Sequence, residues 1–376
     1  MGSKRAMLQN GLAEILRAEA DHCNRVVDLF CGGSSVSWFA ATELRKSVIA
    51  YDLQHYAVCL ANAVIDRTDR IDDSELEESW LQNAMSFLNS VSLWQSATEL
   101  SHKHLTVEEW QRESRSLALE THSSDLPITR SYGGYYFSIE QALVFDALVK
   151  TLPVQRMERN VCLAAAIIAA SQCAAAPGHT AQPFKANASA GRYVLEAWQR
   201  SPIHYVGKAL KLLCPMHAFA AGQAHVKDAN IAVKGLEADD LVFVDPPYSS
   251  VHYSRFYHVL ETIAVGNCGE VTGAGRYPPQ TERPSSAYSM KGQSKAAMTA
   301  LLKSLSDRGC SVVLTFPRNV CSNGLAGSEI EAMSAGLFHV NERYVKSRFS
   351  TLGGANASAR GSRRISEELM LVLRPL

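Results

Sequence analysis

The chain has 376 residues, of which 47% are hydrophobic and 20% charged, and its formal net charge is zero. This length exceeds that of a usual single domain and predicts one large α/β unit with a smaller inserted or appended one. The composition excludes a disordered or fibrous protein. Because the net charge is zero, the field of the whole molecule gives no indication of a polyanionic partner, and any nucleic-acid surface must be local.

The N-terminal stretch MGSKRAMLQNGLAEIL lacks the continuous apolar segment and cleavage site of a secretion signal. The longest apolar run, residues 161–177, is too short to cross a bilayer and predicts a buried helix. The nine cysteines are odd in number and include no CxxC pair, which favours reduced core residues over disulfides or a zinc site. We therefore expect a cytoplasmic protein with no membrane partner and no metal.

The first half of the chain begins an α/β pattern. RVVDLFCGGSSVSWFAATEL (25–44) predicts a strand, a glycine turn and a helix, and SVIAYDL (47–53) predicts a second strand that ends in an acid. These segments indicate a doubly wound sheet. The pattern then becomes mostly helical over residues 71–204, which predicts an insertion between two parts of the core, residues 1–70 and 205–376.

Strand patterns return after the insertion. They cover residues 224–233, 241–247 and 310–316, followed by the pair LFHVNERYVKS and SEELMLVLRP near the C-terminus. Between the members of this pair, RFSTLGGANASARGSRR (348–364) predicts a mobile basic loop.

The glycine turn predicts a nucleotide-like ligand, because backbone N–H groups at a helix N-terminus can approach one. The dinucleotide fingerprint G-x-G-x-x-G is absent, and Asp28 precedes Phe30, Gly32 and Gly33. An acid would repel the phosphates of NAD but would favour a cation. S-adenosylmethionine, which carries an ammonium and a sulfonium, therefore fits this turn.

Two further acids follow predicted strands. Asp52 is placed to accept the ribose hydroxyls of that cofactor, and Asp228 to accept the amino group of its adenine. Each acid taken alone is more often a helix cap or a turn residue. Three acids at successive strand ends favour the cofactor interpretation.

The segment LVFVDPPYSS (241–250) predicts a buried strand that is cut off by a rigid acidic turn of Asp245, Pro246, Pro247 and Tyr248. With this segment in view, the chain resembles the Dam-like DNA adenine methyltransferases. The resemblance rests on GSKRAML, DLFCGGSSVSW, AYDLQHY, VKDA, VDPPYSSVHYSRFYHVLE and, more loosely, the two C-terminal strands, which follow that family's order.

The resemblance implies a Rossmann-like methyltransferase sheet with an inserted, mostly helical target-recognition region. It also implies S-adenosylmethionine as cofactor and double-stranded DNA as substrate. A cognate restriction enzyme or other defence-system protein is a candidate partner.

The resemblance also implies roles for single residues in the acidic turn. The Asp245 carboxylate and the Pro246 carbonyl would each accept one N6–H of a flipped adenine, and Tyr248 would stack on that base. Pro246 and Pro247 would keep the turn stiff.

At the cofactor, Lys4 would line the methionine end and Asp28 would lie near the ammonium. The family usually has glycine where this chain has Ser34.

Four arginines, Arg348, Arg360, Arg363 and Arg364, are candidate DNA-phosphate contacts, with a solvated charged loop as an equally good interpretation. For the aromatic segment SYGGYYF (131–137), core packing is favoured over base stacking.

Three other functions stay open: methylation of cytosine N4 in DNA, methylation of an exocyclic amine in RNA, and a catalytically silent nucleic-acid-binding partner. Cytosine C5 methylation is disfavoured, because it needs a cysteine nucleophile and the corresponding turn carries Asp245.

Overall fold

The computed structural model describes residues 4–121, 125–350 and 363–376. Its strands, numbered β1 to β7 in chain order, are Arg25–Asp28, Ser47–Asp52, Gln223–Val226, Asp240–Val244, Ser311–Pro317, Phe338–Ser350 and Arg363–Pro375. They form one seven-stranded sheet in the order β3-β2-β1-β4-β5-β7-β6.

The described α-helices are numbered α1 to α17 in chain order. They are Lys4–Met7, Ala13–Ala20, Ser35–Thr42, His55–Ile65, Asp73–Ser90, Leu93–Ser101, Val107–Leu119, Pro127–Tyr132, Ile139–Lys150, Arg156–Cys173, Gly191–Trp198, Pro202–Leu213, Ala229–Ala232, Tyr253–Phe256, His258–Val265, Ser294–Asp307 and Gly327–Ser334. A π-helical segment covers Leu8–Leu12, and short 3-10 turns cover Val233–Gly235, Gln280–Glu282 and Ala287–Ser289.

The sheet is parallel from β3 to β5, whereas β7 runs antiparallel to both of its neighbours, β5 and β6. Strand β1 lies between β2 and β4, so the direction of winding reverses there and leaves a crevice at the carboxyl ends of these strands. This mixed sheet, with its many helices, confirms the α/β part of the predicted fold class and fits a methyltransferase fold.

The core of the sheet follows from uninterrupted hydrophobic runs, which are typical of parallel strands covered on both faces. All five residues of β4 are buried, and six of the seven residues of β5. Helix α16 packs in the same core through Met298, Leu301, Leu302 and Leu305, a spacing that places all four side chains on one helical face. All nine cysteines are free, as predicted.

Contacts divide the chain into two compact units. Unit 1 contains residues 1–69, 217–253 and 285–376, and therefore the whole sheet. Unit 2 contains residues 70–216 and 254–284 and is mostly helical.

The core of unit 2 is formed around α10, the helix predicted from the apolar run, whose residues from Val161 to Ala170 are almost all buried. Helices α12 and α15 both pack on α10. For this reason residues 205–216 and 254–284, which the sequence assigns to the core around the sheet, cluster with the helical unit. No helix among the described residues is both long enough and apolar enough to span a bilayer.

Two predicted elements differ from the structure. The third strand ends at Val226, and Asp228 caps α13 by accepting the N–H of Asn230 at 2.9 Å, so the predicted strand over residues 224–233 is too long.

The predicted basic loop is wrong at both ends. Strand β6 continues to Ser350 and β7 begins at Arg363, and the backbone of Arg348 pairs with that of Ile365. Backbone pairing between two strands overrides the local composition of glycine, serine and alanine from which a loop was predicted.

Candidate active site

Four acidic residues lie at the carboxyl ends of four neighbouring strands in unit 1. Asp28 ends β1 and Asp52 ends β2, whereas Asp228 and Asp245 follow β3 and β4. Parallel strands present their carboxyl ends at one edge of a sheet, so the sheet order places the four acids in a row around the crevice between β1 and β4.

The glycine turn after β1 is tied to the end of β2 through Asp52. Gly32 donates its N–H to Oδ2 of Asp52 at 3.0 Å, and Gln54 donates its N–H to Oδ1 at 3.0 Å. Gly32 adopts a φ of +45°, and a side chain added at Gly33 would meet no other described residue within 4 Å of its Cβ. The turn therefore leaves its backbone open to a ligand while Asp52 is held in one orientation.

Ser34 occupies a backbone position that favours glycine. Its φ is +59°, in the left-handed region where a side chain is sterically costly. The residue is fully buried, and its hydroxyl donates to the carbonyl of Ala57 at 3.3 Å. Serine therefore keeps the conformation that glycine would adopt at this position.

Asp28 is buried beneath the turn. The Ser37 hydroxyl donates to its Oδ2 at 2.6 Å, and the N–H of Phe30 donates to Oδ1 at 3.3 Å. Burial raises the pKa of Asp28 to about 7, although both hydrogen bonds act in the opposite direction. A cation beside this carboxyl would therefore favour its ionised form at neutral pH.

The turn after β3 forms an aromatic and polar wall. The buried Tyr288 hydroxyl donates to Oδ1 of Asn230 at 2.5 Å, and the Asn230 N–H donates to Asp228 at 2.9 Å. The ring of Phe30 meets that of Tyr288 edge to face, with centroids 5.1 Å apart. Asp228 and Phe30, both predicted from the sequence, are thereby joined by Tyr288 and Asn230.

Asp245 is anchored through one of its two carboxylate oxygens. The ammonium of Lys4 and the hydroxyl of Thr315 each lie 2.9 Å from Oδ1. Lys4 also lies 3.4 Å from Oε2 of Glu368, which is buried in β7. Lys4 is thus beside the acidic turn.

The charge of Lys4 depends on its two carboxylate partners. Burial alone would lower the pKa of Lys4, but Asp245 and Glu368 reverse that effect and raise it. Lys4 therefore stays protonated.

The rest of the acidic turn is fixed by Asn323, which is fully buried. Its side-chain amide donates to the carbonyls of Pro247 and Tyr288, each at 3.0 Å. The ring of Tyr248, partly exposed, meets Phe316 edge to face with centroids 6.3 Å apart. One asparagine therefore connects the acidic turn to the wall that contains Tyr288.

Sequence reasoning missed four residues of this site, and only some of them had a readable signal. Thr315 is a polar residue near the end of a hydrophobic strand, the same signal that identified the acids. Glu368 directly precedes the apolar run Leu369–Leu373 of β7. Asn323 and Tyr288 come from loop segments and carry no distinguishing pattern.

The four predicted DNA-binding arginines are described only in part. The backbones of Arg348, Arg363 and Arg364 lie in the ladder between β6 and β7, where Arg364 pairs with Phe349. Arg360 lies outside the described residues.

Comparison with known proteins identifies the chain's relatives. The family model for the D12 class N6 adenine-specific DNA methyltransferase matches residues 1–126 and 129–305. The chain is also similar to the type II methyltransferase M.FokI of Planomicrobium okeanokoites, with 24% identity over 301 residues. This match covers 76% of the chain but only 39% of the relative, so the chain spans well under half of that protein's length.

Proposed function

This chain belongs to the family of D12 class N6 adenine-specific DNA methyltransferases, and we propose that it transfers the methyl group of S-adenosylmethionine to N6 of adenine in double-stranded DNA. The observation that carries this proposal is the anchored carboxylate of Asp245, at the reversal point of the sheet. Both of its donors among the described residues, Lys4 and Thr315, bind Oδ1. Oδ2 can therefore accept a hydrogen bond from a substrate amine.

The residues around the glycine turn fit S-adenosylmethionine, which supplies an electrophilic methyl group when bound. Asp28 would face the ammonium, Asp52 would accept from the ribose hydroxyls, and Asp228 would accept from the adenine amine. The open backbone at Gly33 and the ring of Phe30 would complete the cradle. An all-acidic set of side chains suits a cationic cofactor and would repel a pyrophosphate.

Asp245 and Pro246 would act on the adenine amine. The N6 lone pair is delocalised into the ring, so the free amine is a poor nucleophile. Acceptance of one N6–H by Oδ2 of Asp245 and of the other by the Pro246 carbonyl would favour a pyramidal nitrogen, whose lone pair then faces the methyl group. Transfer would form a bond between N6 and the methyl carbon and break the bond between that carbon and sulfur. The proton lost from N6 would pass through its hydrogen bond to Oδ2 of Asp245 and from there to solvent.

Lys4, Thr315 and Asn323 would position this clamp rather than react. Lys4 and Thr315 hold Oδ1, and Asn323 holds the Pro247 carbonyl in the same turn. Groups fixed before the substrate arrives need little rearrangement in the transition state, which lowers the barrier. Tyr248 would stack on the adenine, which must leave the duplex to enter such a site.

We assign target recognition to the helical region of residues 71–204, and DNA-phosphate contact to Arg348, Arg360, Arg363 and Arg364. The relative's description as a type II methyltransferase favours site-specific modification, with a restriction enzyme as a candidate partner. A cytoplasmic location is consistent with this role and is likewise a proposal.

Transfer of a tritiated methyl group to DNA, RNA and protein in parallel tests the function. We expect label in DNA only, and we expect nucleoside analysis of the product to give N6-methyladenine. Label in cytosine N4 or in RNA would replace this proposal with one of the alternative reactions. Cofactor binding without transfer to any acceptor would favour the catalytically silent partner.

A further inference from the structure

Unit 2 contains two tyrosine rings that are each flanked by two arginines. The guanidinium carbons of Arg115 and Arg276 lie 4.1 and 4.5 Å from the centre of the Tyr135 ring. Those of Arg255 and Arg283 lie 4.5 and 5.5 Å from the centre of the Tyr277 ring. Since Arg276 and Tyr277 are adjacent in sequence, the two groups form one arginine–tyrosine cluster: Arg115, Tyr135, Arg255, Arg276, Tyr277 and Arg283.

The four arginines of the cluster concentrate positive charge that no described carboxylate neutralises. Among the described residues, no carboxylate forms an ion pair with any of its four arginines, whereas Arg112 pairs with Glu113 and Arg200 with Glu196 elsewhere in unit 2. Burial lowers the pKa of Arg115, and the charge of Arg276 lowers it further. Burial and the charge of Arg255 act in the same way on Arg283.

Backbone contacts hold the guanidinium groups in place through Nε. Arg115 donates its Nε–H to the Gly134 carbonyl at 2.9 Å, Arg276 to the Ser131 carbonyl at 2.9 Å, and Arg283 to the Pro278 carbonyl at 3.1 Å. An arginine bound through Nε alone can still donate from its two terminal nitrogens. In Arg276, Nη2 also donates to the Arg130 carbonyl at 3.4 Å, which leaves Nη1 for an anion. The cluster therefore presents fixed donors, which lose little conformational freedom when an anion binds.

The backbone at Arg276 is sterically strained. Thr272 and Tyr277 form a two-residue β-bridge, and within it Arg276 adopts a φ of +53°, which is rare for a residue with a side chain. The ring of Tyr277 is also fixed in position, because its hydroxyl donates to the carbonyl of Ala181. Strained backbone that persists around a charged side chain is a feature of binding sites.

We propose that the arginine–tyrosine cluster binds the phosphate backbone of the substrate DNA. This inference rests on the proposed function, which supplies the polyanion. Planar guanidinium groups bind phosphate through paired N–H donors, and repulsion between arginines on the same ring is relieved when a phosphate binds between them. The cluster shares no residue with the acidic turn or with the four arginines predicted from the sequence to contact DNA.

The test compares three double variants by DNA titration at several salt concentrations. They are Arg115→Gln with Arg276→Gln, Arg255→Gln with Arg283→Gln, and the control Arg159→Gln with Arg192→Gln. The control removes the same charge from exposed positions of unit 2, and Arg192 also packs on a tyrosine ring. The probe is a labelled duplex DNA, with a duplex RNA of the same length in a parallel titration.

We expect each cluster variant to bind the DNA about tenfold more weakly near 0.1 M salt and to reduce the slope of log affinity against log salt by about 1.8. The control should change neither. Cluster variants that match the control would overturn the inference while leaving the proposed function intact. A loss confined to RNA would also overturn it, and absence of DNA binding by the unaltered protein would overturn the proposed function itself.

A folding defect is separated from loss of contact by Arg115→Lys with Arg276→Lys. This variant keeps both charges, so its salt slope should stay within about 0.5 of the unaltered value, even where its affinity falls. A slope lowered as far as in the glutamine variant would show that disturbed structure, and not lost charge, weakens binding, and would overturn the inference.

Discussion

The ammonium of Lys4 lies 2.9 Å from Oδ1 of Asp245, so a cation from the first described helix anchors an acid that follows β4. The same ammonium also meets Glu368 of β7 at 3.4 Å. Two carboxylates from distant parts of the chain are thus held by one lysine. This arrangement places Lys4 beside the acidic turn. Its position at the methionine end of the cofactor, implied by the sequence resemblance, stays a prediction.

Lys4→Met should slow methyl transfer about 100-fold while changing the cofactor dissociation constant less than about threefold. The physical reason is that Asp245 loses one of its two anchors, and a small displacement of a reacting group costs about this much in rate. The variant should also lose about 3 kcal/mol of unfolding free energy, because the buried Glu368 loses its ion pair with Lys4. Single-turnover kinetics, calorimetry and urea unfolding measure the three quantities.

The matched control for Lys4 is the double variant Lys4→Met with Glu368→Gln. Removal of the Glu368 charge, which Lys4 no longer balances, should restore most of the stability without restoring the rate of methyl transfer. A large loss of cofactor affinity in Lys4→Met would instead favour the position at the methionine end.

Asp245→Ala should abolish detectable methyl transfer and leave cofactor binding unchanged, because this carboxylate is assigned to the adenine amine. Calorimetry beside a transfer assay separates the two effects. Thr315→Val is a milder companion, since it removes one of the two donors to Oδ1. We expect it to lower the rate by about tenfold, and loss of cofactor binding in folded Asp245→Ala would contradict the assignment.

Binding of S-adenosylmethionine should strengthen as pH rises from 6 to 8. Burial raises the pKa of Asp28 to about 7, and the cofactor ammonium favours the ionised form, so a proton must leave before binding at lower pH. The affinity should fall by up to about tenfold per pH unit below 7. Calorimetry at several pH values measures it, and the dependence should disappear in Asp28→Asn.

Stability without cofactor should show the opposite trend. A carboxyl whose pKa lies near 7 in the fold and at the ordinary value of 3.8 in the unfolded chain stabilises the fold when protonated. The unfolding free energy should therefore fall as pH rises from about 4 to 7. Asp146 in unit 2, whose pKa burial also raises to about 7, gives the matched control. Asp146→Asn should reduce this slope without changing the pH dependence of cofactor binding.

Tyr288→Phe should weaken cofactor binding about three- to tenfold and leave the rate at saturating cofactor unchanged. The change removes the bond to Asn230 and leaves a partly buried amide oxygen without its donor. The ring, and its contact with Phe30, is retained. If the rate of methyl transfer changed and the affinity for the cofactor did not, Tyr288 would instead act on the acidic turn, through the hydrogen bond that its carbonyl accepts from Asn323.

Local patterns were sufficient to predict the elements that position the site. The glycine turn and the acidic turn after β4 were each readable because a hydrophobic strand ends abruptly in polar or glycine residues. The acids at the ends of β1 and β2 were found in the same way.

Contacts between segments that are distant in sequence could not be predicted from the sequence. The surroundings of the acidic turn come from three distant segments: the helix that contains Lys4, the loop that contains Asn323 and the strand that contains Glu368. Only the tertiary fold brings them together. The prediction of a basic loop over residues 348–364 was wrong at its ends for a related reason. The composition around Arg348 and Arg363 describes their neighbours in sequence, but not the strand pairing that places both residues in a β-ladder.

The position of β7 in the sheet determines the order in which the parts of the site can assemble during synthesis of the chain. Strand β6 is synthesised before β7, which is its one neighbour among the described strands of the sheet, and β7 also supplies Glu368. While the chain is emerging from a ribosome, β1 to β5 can therefore assemble with Asp245 in place before Glu368, the second counter-charge of Lys4, exists. A nascent chain could form its cofactor turn early and still lack a completed amino-group clamp, so the ability to methylate would arise only after the last strand has inserted.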